Sequence, residues 1–466
     1  MSRRHNDTTI PNIAPVPELN PMIFFYTLLL WLLLPYIFFR LLWRARKQPE
    51  YLDHIGERFG FYSLQCNKPV IWLHAVSVGE TRATQTLVTR LRLTYPQHQI
   101  LLTHTTPTGR LASEQLYGND VLRVYLPYDY PFAVRNFLRY FQPQLGILME
   151  TEIWFNLIHS CRQYGTRLLL LNARMSEKSM RGYARFSRLT HNALNELASI
   201  AAQTAEDAAR LTSLGAKNVS VFGNLKFDID PPLSMMELGK HLREQFGAQR
   251  SVLLAASTRE GEETLLLDNL QGINIPGLLL VLVPRHPQRF ADVAGMLEQR
   301  GIPFIRRSDL GKSISTHSAN TAYQQSVPSD IKVVLGDSMG EMFAYYAAAD
   351  LAFVGGSMLP YGGQNLIESC AVGTPVLVGP HMYNFEQATR LAVSAGAAIQ
   401  VLDVEGLAFQ IQRFFNDPVA QINMRKQCIN FVATNRGATE KSLQLTRQYL
   451  DVPIHPDSGL PAHSSR

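Results

Sequence analysis

Short apolar runs alternate with amphipathic stretches over most of this chain. Such runs, separated by segments of helical periodicity, predict the strands of a parallel sheet and the helices that cross over between them. The predicted strands are 70–74, 100–105, 121–126, 145–149, 168–172, 200–202 and 219–222, and then 252–256, 278–283, 331–335, 351–354 and 375–378. The clearest predicted helices are 81–93, 131–141, 206–214 and 366–372. The pattern therefore predicts an α/β protein.

A break in this alternation divides the chain. Residues 227–250 contain a proline pair and no clear strand, so we predict an interdomain linker there. A chain of 466 residues is also too long for one hydrophobic core. We therefore predict two doubly wound, Rossmann-like domains, 48–226 and 251–450, facing a cleft that holds ligands. Residues 1–20 are predicted to be a disordered extension, and residues 451–466 a loose tail.

The apolar segment near the N-terminus has a different pattern. Residues 19–39 carry no charge and are about as long as a helix that crosses a bilayer. We predict a membrane anchor over residues 21–47, which either spans the bilayer or lies in its interface. The positive-inside rule then puts the domains on the cytoplasmic side of the membrane. A cleaved signal peptide is the alternative. The basic residues that follow the apolar stretch are Arg40, Arg44, Arg46 and Lys47.

Charge and cysteine content narrow the class of partner. The chain has 44 Lys and Arg against 38 Asp and Glu, a net charge of +6. This modest excess of positive charge suits a partner such as anionic lipid or a phosphorylated substrate. The chain has no arginine-rich run interleaved with aromatic residues, the pattern that would indicate nucleic-acid binding. The four cysteines are far apart, so they predict a reducing compartment and no metal site.

Glu80 is the most informative candidate for chemistry. It follows an apolar strand and a small-residue loop, and it opens a helix. Ligands of open α/β sheets bind outside the carboxyl ends of strands, where a carboxylate is well placed for proton transfer. The structural alternative is that Ser77-x-x-Glu80 is only a capping box.

Two further candidates in the first half lie at a strand end and at the domain boundary. Glu150 follows a predicted strand and could position a substrate or a cationic partner, whereas Thr151 and Glu152 could simply open the next helix. Lys226 closes the first predicted domain and would hang into the cleft. A lysine there is otherwise a solvated surface charge.

In the second half, polar and glycine-rich segments follow four predicted strands. They contain Ser257, the pair Pro284-Arg285, the run Met339-Gly340-Glu341 and the run Asn365-Leu366-Ile367-Glu368. A carboxylate there can accept from ribose hydroxyls, while N–H groups freed by glycines can hold a phosphate.

Each of these segments has a purely structural alternative. Ser338-x-x-Glu341 and Asn365-x-x-Glu368 could be capping boxes, and Arg285 could be a surface charge. No GxGxxG or GxxxxGK run is present, so the glycines favour a nucleotide sugar over NAD or ATP.

These segments, in this order, resemble the bacterial 3-deoxy-D-manno-octulosonic acid (Kdo) transferases of lipopolysaccharide assembly, from about residue 22 to residue 450. The most specific stretches are Leu73-His-Ala-Val-Ser-Val-Gly-Glu80, Met149-Glu-Thr-Glu-Ile-Trp154, Leu225-Lys-Phe-Asp228, Val283-Pro-Arg-His-Pro287 and Ala349-Asp-Leu-Ala-Phe-Val-Gly-Gly-Ser357. The chain departs from the family pattern at Phe155, at Asn224 and over residues 364–366.

The resemblance implies a membrane-anchored GT-B fold and a metal-independent, inverting transfer of Kdo from CMP-Kdo to a phosphorylated lipid A precursor (lipid IVA). It implies no cofactor and no nucleic-acid partner, and it places the enzyme among inner membrane lipids. By resemblance Glu80 is the general base, and Glu150 and Lys226 assist at the transition state. The implied CMP contacts are Ser257, Pro284, Arg285, Met339, Gly340, Glu341, Asn365, Leu366, Ile367 and Glu368.

Two other functions are compatible with the same two-domain architecture. One is another GT-B enzyme that uses a nucleotide sugar, such as a UDP-sugar transferase or epimerase. The other is a membrane-tethered protein that binds a nucleotide sugar without catalysis.

Overall fold

A computed structural model describes residues 21–270, 272–310 and 326–451 of the protein. Within these residues the chain forms two compact units. The first unit runs up to Asp228 and also contains the residues from Gly437 onward, and the second unit is Ile229–Arg436. The predicted N-terminal extension lies outside the described residues, as does the predicted tail from residue 452 onward.

The first unit is built on a parallel sheet of seven strands in the order β3-β2-β1-β4-β5-β6-β7. The strands are β1 Val70–His74, β2 Gln99–His104, β3 Leu122–Tyr125, β4 Pro143–Met149, β5 Arg167–Ala173, β6 Ser199–Ala202 and β7 Val219–Val221. Alternate residues of each strand point to opposite faces, so Trp72 packs in one core while Ile71 and Leu73 pack in the other. Helices cover both faces, which explains why these strands are continuous apolar runs.

The helices of the first unit are α1 Pro21–Ala45, α2 Val78–Ala83, α3 Gln85–Thr94, α4 Pro107–Tyr117, α5 Pro131–Phe141, α6 Phe155–Gln163, α7 Glu177–Ala184, α8 Ser187–Glu196 and α9 Ala205–Ser213. Short 3-10 helices are Pro49–Tyr51, Ile55–Phe59 and Leu225–Phe227. The predicted helix 81–93 is two helices, because the chain breaks at Thr84.

The second unit repeats the architecture with a parallel sheet in the order β10-β11-β9-β8-β12-β13-β14. Its strands are β8 Val252–Thr258, β9 Leu279–Pro284, β10 Phe304–Arg306, β11 Val333–Leu335, β12 Leu351–Val354, β13 Val376–Val378 and β14 Ala398–Gln400. Its helices are α10 Leu233–Phe246, α11 Glu262–Leu270, α12 Phe290–Gln299, α13 Met342–Ala348, α14 Ile367–Ala371, α15 Glu386–Ser394, α16 Val404–Phe415 and α17 Pro418–Asn435. Short 3-10 helices are Pro287–Arg289 and Arg307–Asp309. The edge strands β10 and β14 were not predicted, because three residues at a sheet edge carry little apolar signal.

The predicted linker is wrong over most of its length. Pro232 directly precedes α10, so the proline pair marks the start of a helix and not a flexible connection. Leu242 and Phe246 bury one face of α10 in the second unit's core. Gly239 permits close packing on α13, since a Cβ there would lie 2.6 Å from Ala347 Cβ.

The predicted end of the second domain at residue 450 is also wrong. Helix α18, Ala438–Leu450, belongs to the first unit and adds Leu443 and Leu445 to its core. Asp228 explains the connection, because its carboxylate accepts hydrogen bonds from the N–H of Gly437 (2.7 Å) and from that of Thr439. A carboxylate at a helix N-terminus is stabilised by the free N–H groups there.

Helix α1 is the one helix among the described residues that is long and apolar enough to cross a membrane. Its less exposed side chains recur every three or four positions, as expected for a helix lying along a surface. They are Met22, Ile23, Tyr26, Thr27, Leu30, Leu34, Ile37, Leu41 and Ala45. The opposite side exposes large apolar side chains, including Phe24, Phe25, Leu28, Leu32 and Phe39.

Candidate active site

Glu80 lies in the first turn of α2, directly beyond the carboxyl end of β1. Its carboxylate accepts hydrogen bonds from the Val76 N–H (2.9 Å) and from the Ser77 hydroxyl (3.0 Å). Ser77 in turn accepts from the Glu80 N–H at 3.4 Å. The capping interpretation of Ser77 is therefore confirmed, although the carboxylate bonds the N–H of Val76 rather than that of the cap residue. Capping does not consume the carboxylate, which keeps free lone pairs.

The environment of Glu80 suits a proton acceptor. The pKa of Glu80 is raised to about 7, mainly by burial and next by the nearby charge of Glu150, while the bonds from Val76 and Ser77 oppose the shift. A general base is most effective when its pKa lies near the working pH.

Glu150 occupies the first position after β4 in a strained conformation. Its φ is 58°, in the left-handed region that non-glycine residues seldom adopt. Its backbone is held by a hydrogen bond from its N–H to the Leu171 carbonyl (3.1 Å), at the end of β5. Such strain concentrates at functional sites.

Lys226 reaches Glu150 from a short 3-10 helix, Leu225–Phe227. Its Nζ lies 3.8 Å from Glu150 Oε1. The Lys226 N–H donates to Asn224 Oδ1 (3.0 Å), and the Leu225 N–H donates to Asn172 Oδ1 (3.0 Å). The structure thus brings Glu80, Glu150 and Lys226 together at one edge of the first sheet.

Glu152 is a member of this group to which the sequence analysis gave only a structural role. Its carboxylate accepts from Trp154 Nε1 (2.6 Å) and lies 3.8 Å from Nε2 of the buried His74. Burial lowers the pKa of His74 to about 3, so the imidazole is neutral and this contact is not an ion pair. Burial raises the pKa of Glu152, and the Glu150 charge adds to the shift. The sequence signal that could have identified Glu152 is its position just after a predicted strand, two residues from Glu150.

In the second unit, Ser257 and the glycines after β12 make a close backbone approach. Ser257 has a φ of 56°, and Gly355 packs so tightly that a Cβ there would lie 2.6 Å from the Ser257 carbonyl oxygen. The glycine after β12 is therefore needed for packing against the loop after β8.

Pro284 and Arg285 end β9 beside that loop. The Arg285 N–H donates to the Thr258 carbonyl at 2.9 Å, which ties the ends of β8 and β9 together. Burial raises the pKa of Tyr346 well above its usual value, the Glu368 carboxylate raises it further, and the Arg285 guanidinium opposes the shift. Arg285 and Glu368 therefore share one neighbourhood around Tyr346.

Met339, Gly340 and Glu341 join β11 to α13. Met339 is 57% exposed, and Gly340 has a φ of 82°. Glu341 accepts from the Ser338 hydroxyl (2.5 Å) and from Arg307 Nη2 (3.2 Å). The predicted Ser338 capping box is wrong, because Glu341 is itself the residue that precedes α13.

The last predicted segment precedes α14. Asn365 Oδ1 accepts from the Ile367 N–H (3.1 Å), while its Nδ2 donates to Glu368 Oε1 (3.1 Å). Leu366 occupies the N-cap position of α14 without a side-chain bond, and Asn365 precedes it, so the reciprocal bonds of the predicted capping box are not formed. Leu366 and Ile367 are buried, and the half-buried Glu368 carboxylate is oriented by Asn365.

Glu262 and Glu263 hold the loops of this edge and were not predicted as individual residues. The buried Glu262 carboxylate accepts from the N–H groups of Arg259 (2.9 Å), Gly356 (2.6 Å) and Met358 (3.0 Å). Glu263 accepts from the Thr258 hydroxyl (2.8 Å) and pairs with Arg289 at 2.8 Å. Their burial in a helix is not visible from sequence, because both lie in an acidic first turn typical of solvated helices.

All ten residues predicted to contact CMP thus lie at the carboxyl edge of the second sheet. Among the described residues no group of three or more His, Cys, Asp and Glu side chains could hold a metal ion.

Comparisons with known proteins identify the family of this chain. A family model described as 3-deoxy-D-manno-octulosonic-acid transferase (kdotransferase) matches residues 53–229. The 3-deoxy-D-manno-octulosonic acid transferase of Bordetella pertussis is 39% identical over 440 residues, which are 91% of this chain and 99% of that protein. The corresponding transferase of Haemophilus influenzae is 34% identical and covers 92% of this chain and 99% of its own length.

Among solved structures, a glycosyltransferase from Rickettsia africae matches with a TM-score of 0.53 at 14% identity, over 83% of this chain and 99% of that one. This likeness supports the GT-B type of fold, with its two Rossmann-like units. The coverage and sequence identity of the two transferase matches establish the family as well as the fold. The chain belongs to the 3-deoxy-D-manno-octulosonic acid transferase family of glycosyltransferases, the enzymes of lipopolysaccharide biosynthesis.

Proposed function

We propose that this enzyme transfers Kdo from CMP-Kdo to a hydroxyl of a phosphorylated lipid A precursor, lipid IVA, with inversion and without a metal. The observation that carries the proposal is the group formed by Glu80, Glu150 and Lys226 at the edge of the first sheet. The group unites a carboxyl of raised pKa with a cation, which are the parts that a proton-coupled group transfer needs.

Glu80 acts as the general base in this proposal. The carboxylate accepts the proton of the acceptor hydroxyl while the oxygen attacks the anomeric carbon and the bond to CMP breaks. One direct displacement inverts the configuration at that carbon. Support comes from the pKa of about 7, because Glu80 can then hold and release a proton near neutral pH. The bonds from Val76 and Ser77 fix the carboxylate before the substrate arrives.

Glu150 and Lys226 assist by charge. Lys226 supplies a cation for the negative charge that develops as the CMP phosphate leaves. Glu150 holds the lysine within 3.8 Å and also keeps the pKa of Glu80 high. The positive φ of Glu150 is a strained backbone conformation, which supports a dedicated role for this residue.

The second unit binds the nucleotide in this proposal. The Glu368 carboxylate, oriented by Asn365, accepts hydrogen bonds from ribose hydroxyls. Arg285 provides charge for the phosphate, and the N–H groups around Gly340 and the segment Asn365–Ile367 contact it through the backbone. Pro284, Ser257, Met339 and Glu341 complete the contacts.

In this proposal the phosphorylated lipid acceptor binds to the first unit, and two features of that unit support this. Helix α1 offers an apolar surface for the membrane, and the segment from β5 through α7 to α8 is basic. We name the exposed cations of this segment the basic cluster, namely Arg174, Lys178, Arg181, Arg185 and Arg188. The cluster begins directly after β5, beside the strand that delivers Glu150, and it suits acceptor phosphates. We place the enzyme at the cytoplasmic face of the inner membrane, where Arg40 and Lys47 meet anionic lipid.

Mass spectrometry of lipid IVA incubated with the enzyme and CMP-Kdo tests the proposal. The acceptor should gain mass in units of one Kdo residue, and chelation with EDTA should leave the rate unchanged. CMP should protect the enzyme against thermal unfolding, whereas UDP should not. Protection by UDP, with no gain of Kdo, would instead favour a transferase or epimerase that uses a UDP-sugar. Protection by CMP without turnover would favour a binding protein.

A further inference from the structure

Helix α1 contacts the protein at the point where α6 begins. The Thr27 hydroxyl donates to Asn156 Oδ1 at 3.0 Å, and the Tyr26 ring packs edge-on against the Phe155 ring with centroids 5.1 Å apart. Phe155 and Asn156 are the first two residues of α6. Polar contacts of this kind are unusual for a simple tether, because a tether needs only apolar contacts with lipid.

Asp129 makes the second connection between these helices. The Tyr26 hydroxyl donates to Asp129 Oδ2 at 2.9 Å. The same carboxylate accepts from the N–H groups of Asn156 (3.0 Å) and Leu157 (2.7 Å), and Asn156 Nδ2 donates to the Asp129 carbonyl at 2.6 Å. Asp129 is only 4% exposed. It therefore serves as the cap of α6, since Trp154 at the cap position supplies no side-chain bond.

Because the Asp129 carboxylate is buried, its charged form depends on the hydrogen bond from Tyr26. Burial raises the pKa of Asp129 to about 7, and the bonds from Asn156, Tyr26 and Leu157 oppose that shift. A buried carboxylate that loses one of its donors is destabilised as an anion, which weakens its bonds to the first turn of α6.

The first turn of α6 directly follows the loop that carries Glu150. Residues 150–154 connect β4 to α6, and the Tyr183 hydroxyl contacts the Thr151 carbonyl at 3.4 Å. Because β4 is fixed within the sheet, the start of α6 is the movable end of this short loop. A shift of α6 therefore moves Glu152 and Trp154 relative to Glu80, while the backbone of Glu150 stays held by the bond from its N–H to the Leu171 carbonyl.

We propose that α1 is a positioning element of the active site, in which Tyr26 and Thr27 hold Asp129 and Asn156 and thereby set the Glu150–Trp154 loop. The inference rests on the proposed function for its effect on catalysis. Tyr26, Thr27, Asp129 and Asn156 are positioning residues, since none of them touches the reacting atoms. Docking of the membrane helix and positioning of the loop beside Glu80 are then one structural event.

The test uses the full-length enzyme with Tyr26→Phe, Thr27→Val and the double variant. Tyr36→Phe is the matched control, because it removes one hydroxyl from the exposed side of the same helix. Transfer is measured with acceptor dispersed in detergent, so that attachment to vesicles plays no part. In parallel the protein is labelled with 5-fluorotryptophan, and the fluorine resonance of Trp154 is assigned with Trp154→Phe.

The double variant should lose about tenfold or more in kcat while KM and CMP affinity stay within about twofold. Its Trp154 resonance should shift or broaden, and that of Tyr36→Phe should match the parent. Thr27→Val removes the milder contact and keeps the test available if the double variant does not fold. An unchanged Trp154 resonance in a folded Tyr26→Phe or Thr27→Val variant would overturn the inference, as would an equal change in Tyr36→Phe. A parent without Kdo transfer would count against the proposed function alone, because the resonance still reports the position of the loop.

Discussion

Lys226 Nζ lies 3.8 Å from Glu150 Oε1, and the two residues come from elements far apart in the chain. Glu150 directly follows β4, whereas Lys226 lies after β7 in a short 3-10 helix. Both residues are partly exposed, so the pair contributes little to stability by itself. Its value lies in placing a cation and a carboxylate beside Glu80 before substrate binds.

Glu80→Gln should abolish transfer while the fold is kept. The amide cannot accept the hydroxyl proton, and a general base typically contributes about 100- to 10,000-fold to the rate. The variant still offers one oxygen to Val76 or Ser77, so calorimetry should show CMP binding equal to that of the parent. Glu114→Gln, at an exposed glutamate on α4, is the matched control and should keep full activity. Activity of Glu80→Gln within about tenfold of the parent would leave Glu80 with its capping role only.

Glu150→Gln should move the pH dependence of the reaction. The parent should show kcat/KM rising with pH through about 7, because Glu80 must be ionised to act as a base. Burial is the larger cause of the raised pKa and the Glu150 charge is the next, so removing that charge should shift the acid limb to lower pH. A limb that stays in place would show that Glu150 does not act on Glu80.

The same pKa has a consequence for stability. The pKa of Glu80 is raised from 4.5 to about 7, so between those pH values the folded state binds more protons than the unfolded state. Stability from this group is therefore present below pH 4.5 and lost as the pH rises to about 7. The melting temperature of Glu80→Gln, compared with that of the parent, should improve across this window.

Glu368→Ala and Arg285→Ala should weaken CMP binding. A hydrogen bond to a charged group contributes about 1.5–3 kcal/mol, so the Kd should rise by about tenfold or more for each variant. Glu298→Ala, at an exposed position on α12, is the control for charge removal in the same unit. Titration calorimetry measures the affinity. Unchanged affinity with a lowered melting temperature would make these residues structural.

Much of this architecture was accessible from the sequence because both sheets are buried on both faces. Strands such as Val70–His74 and Leu351–Val354 are continuous apolar runs, and both were predicted with the observed bounds. The positions of Glu80 and Glu150 followed from the same logic, since parallel strands present their loops at one edge. The order of motifs supplied the family, which the two transferase relatives confirm.

The remaining features depend on contacts between distant residues, which periodicity cannot encode. Helix α18 has an ordinary amphipathic pattern, and only Asp228 and the core around Leu443 decide that it joins the first unit. Glu262 reads as a solvated residue of a first helical turn, yet it is buried beneath the loop after β12. The side of α1 that contacts the first unit was hidden because most residues on both sides of the helix are apolar, and Tyr26 and Thr27 are two of its few polar side chains.

Removal of charge from the basic cluster should affect the acceptor and not the donor. The double variant Arg185→Gln/Arg188→Gln should raise the KM for phosphorylated acceptor by about tenfold or more, because each charge-assisted bond to phosphate contributes about 1.5–3 kcal/mol. The effect should shrink as salt is raised, since these side chains are exposed. Arg413→Gln, at an exposed arginine on α16, is the control in the other unit. An acceptor lacking phosphates should be used equally by variant and parent, and a KM that rises for this acceptor too would argue against phosphate recognition.

Glu262→Ala should destabilise the second unit and also weaken its hold on CMP. Its buried carboxylate accepts from three backbone N–H groups, two of which lie in the loop after β12. Each unsatisfied buried donor costs about 1–3 kcal/mol, so we expect a loss of at least about 3 kcal/mol in the free energy of unfolding. Glu262→Gln keeps one acceptor oxygen and should fall between the alanine variant and the parent. Because the loop after β12 leads to Asn365 and Glu368, the Kd for CMP should rise in the same order. Scanning calorimetry with and without CMP measures both effects, and a variant that melts like the parent would show that the three N–H groups find other partners.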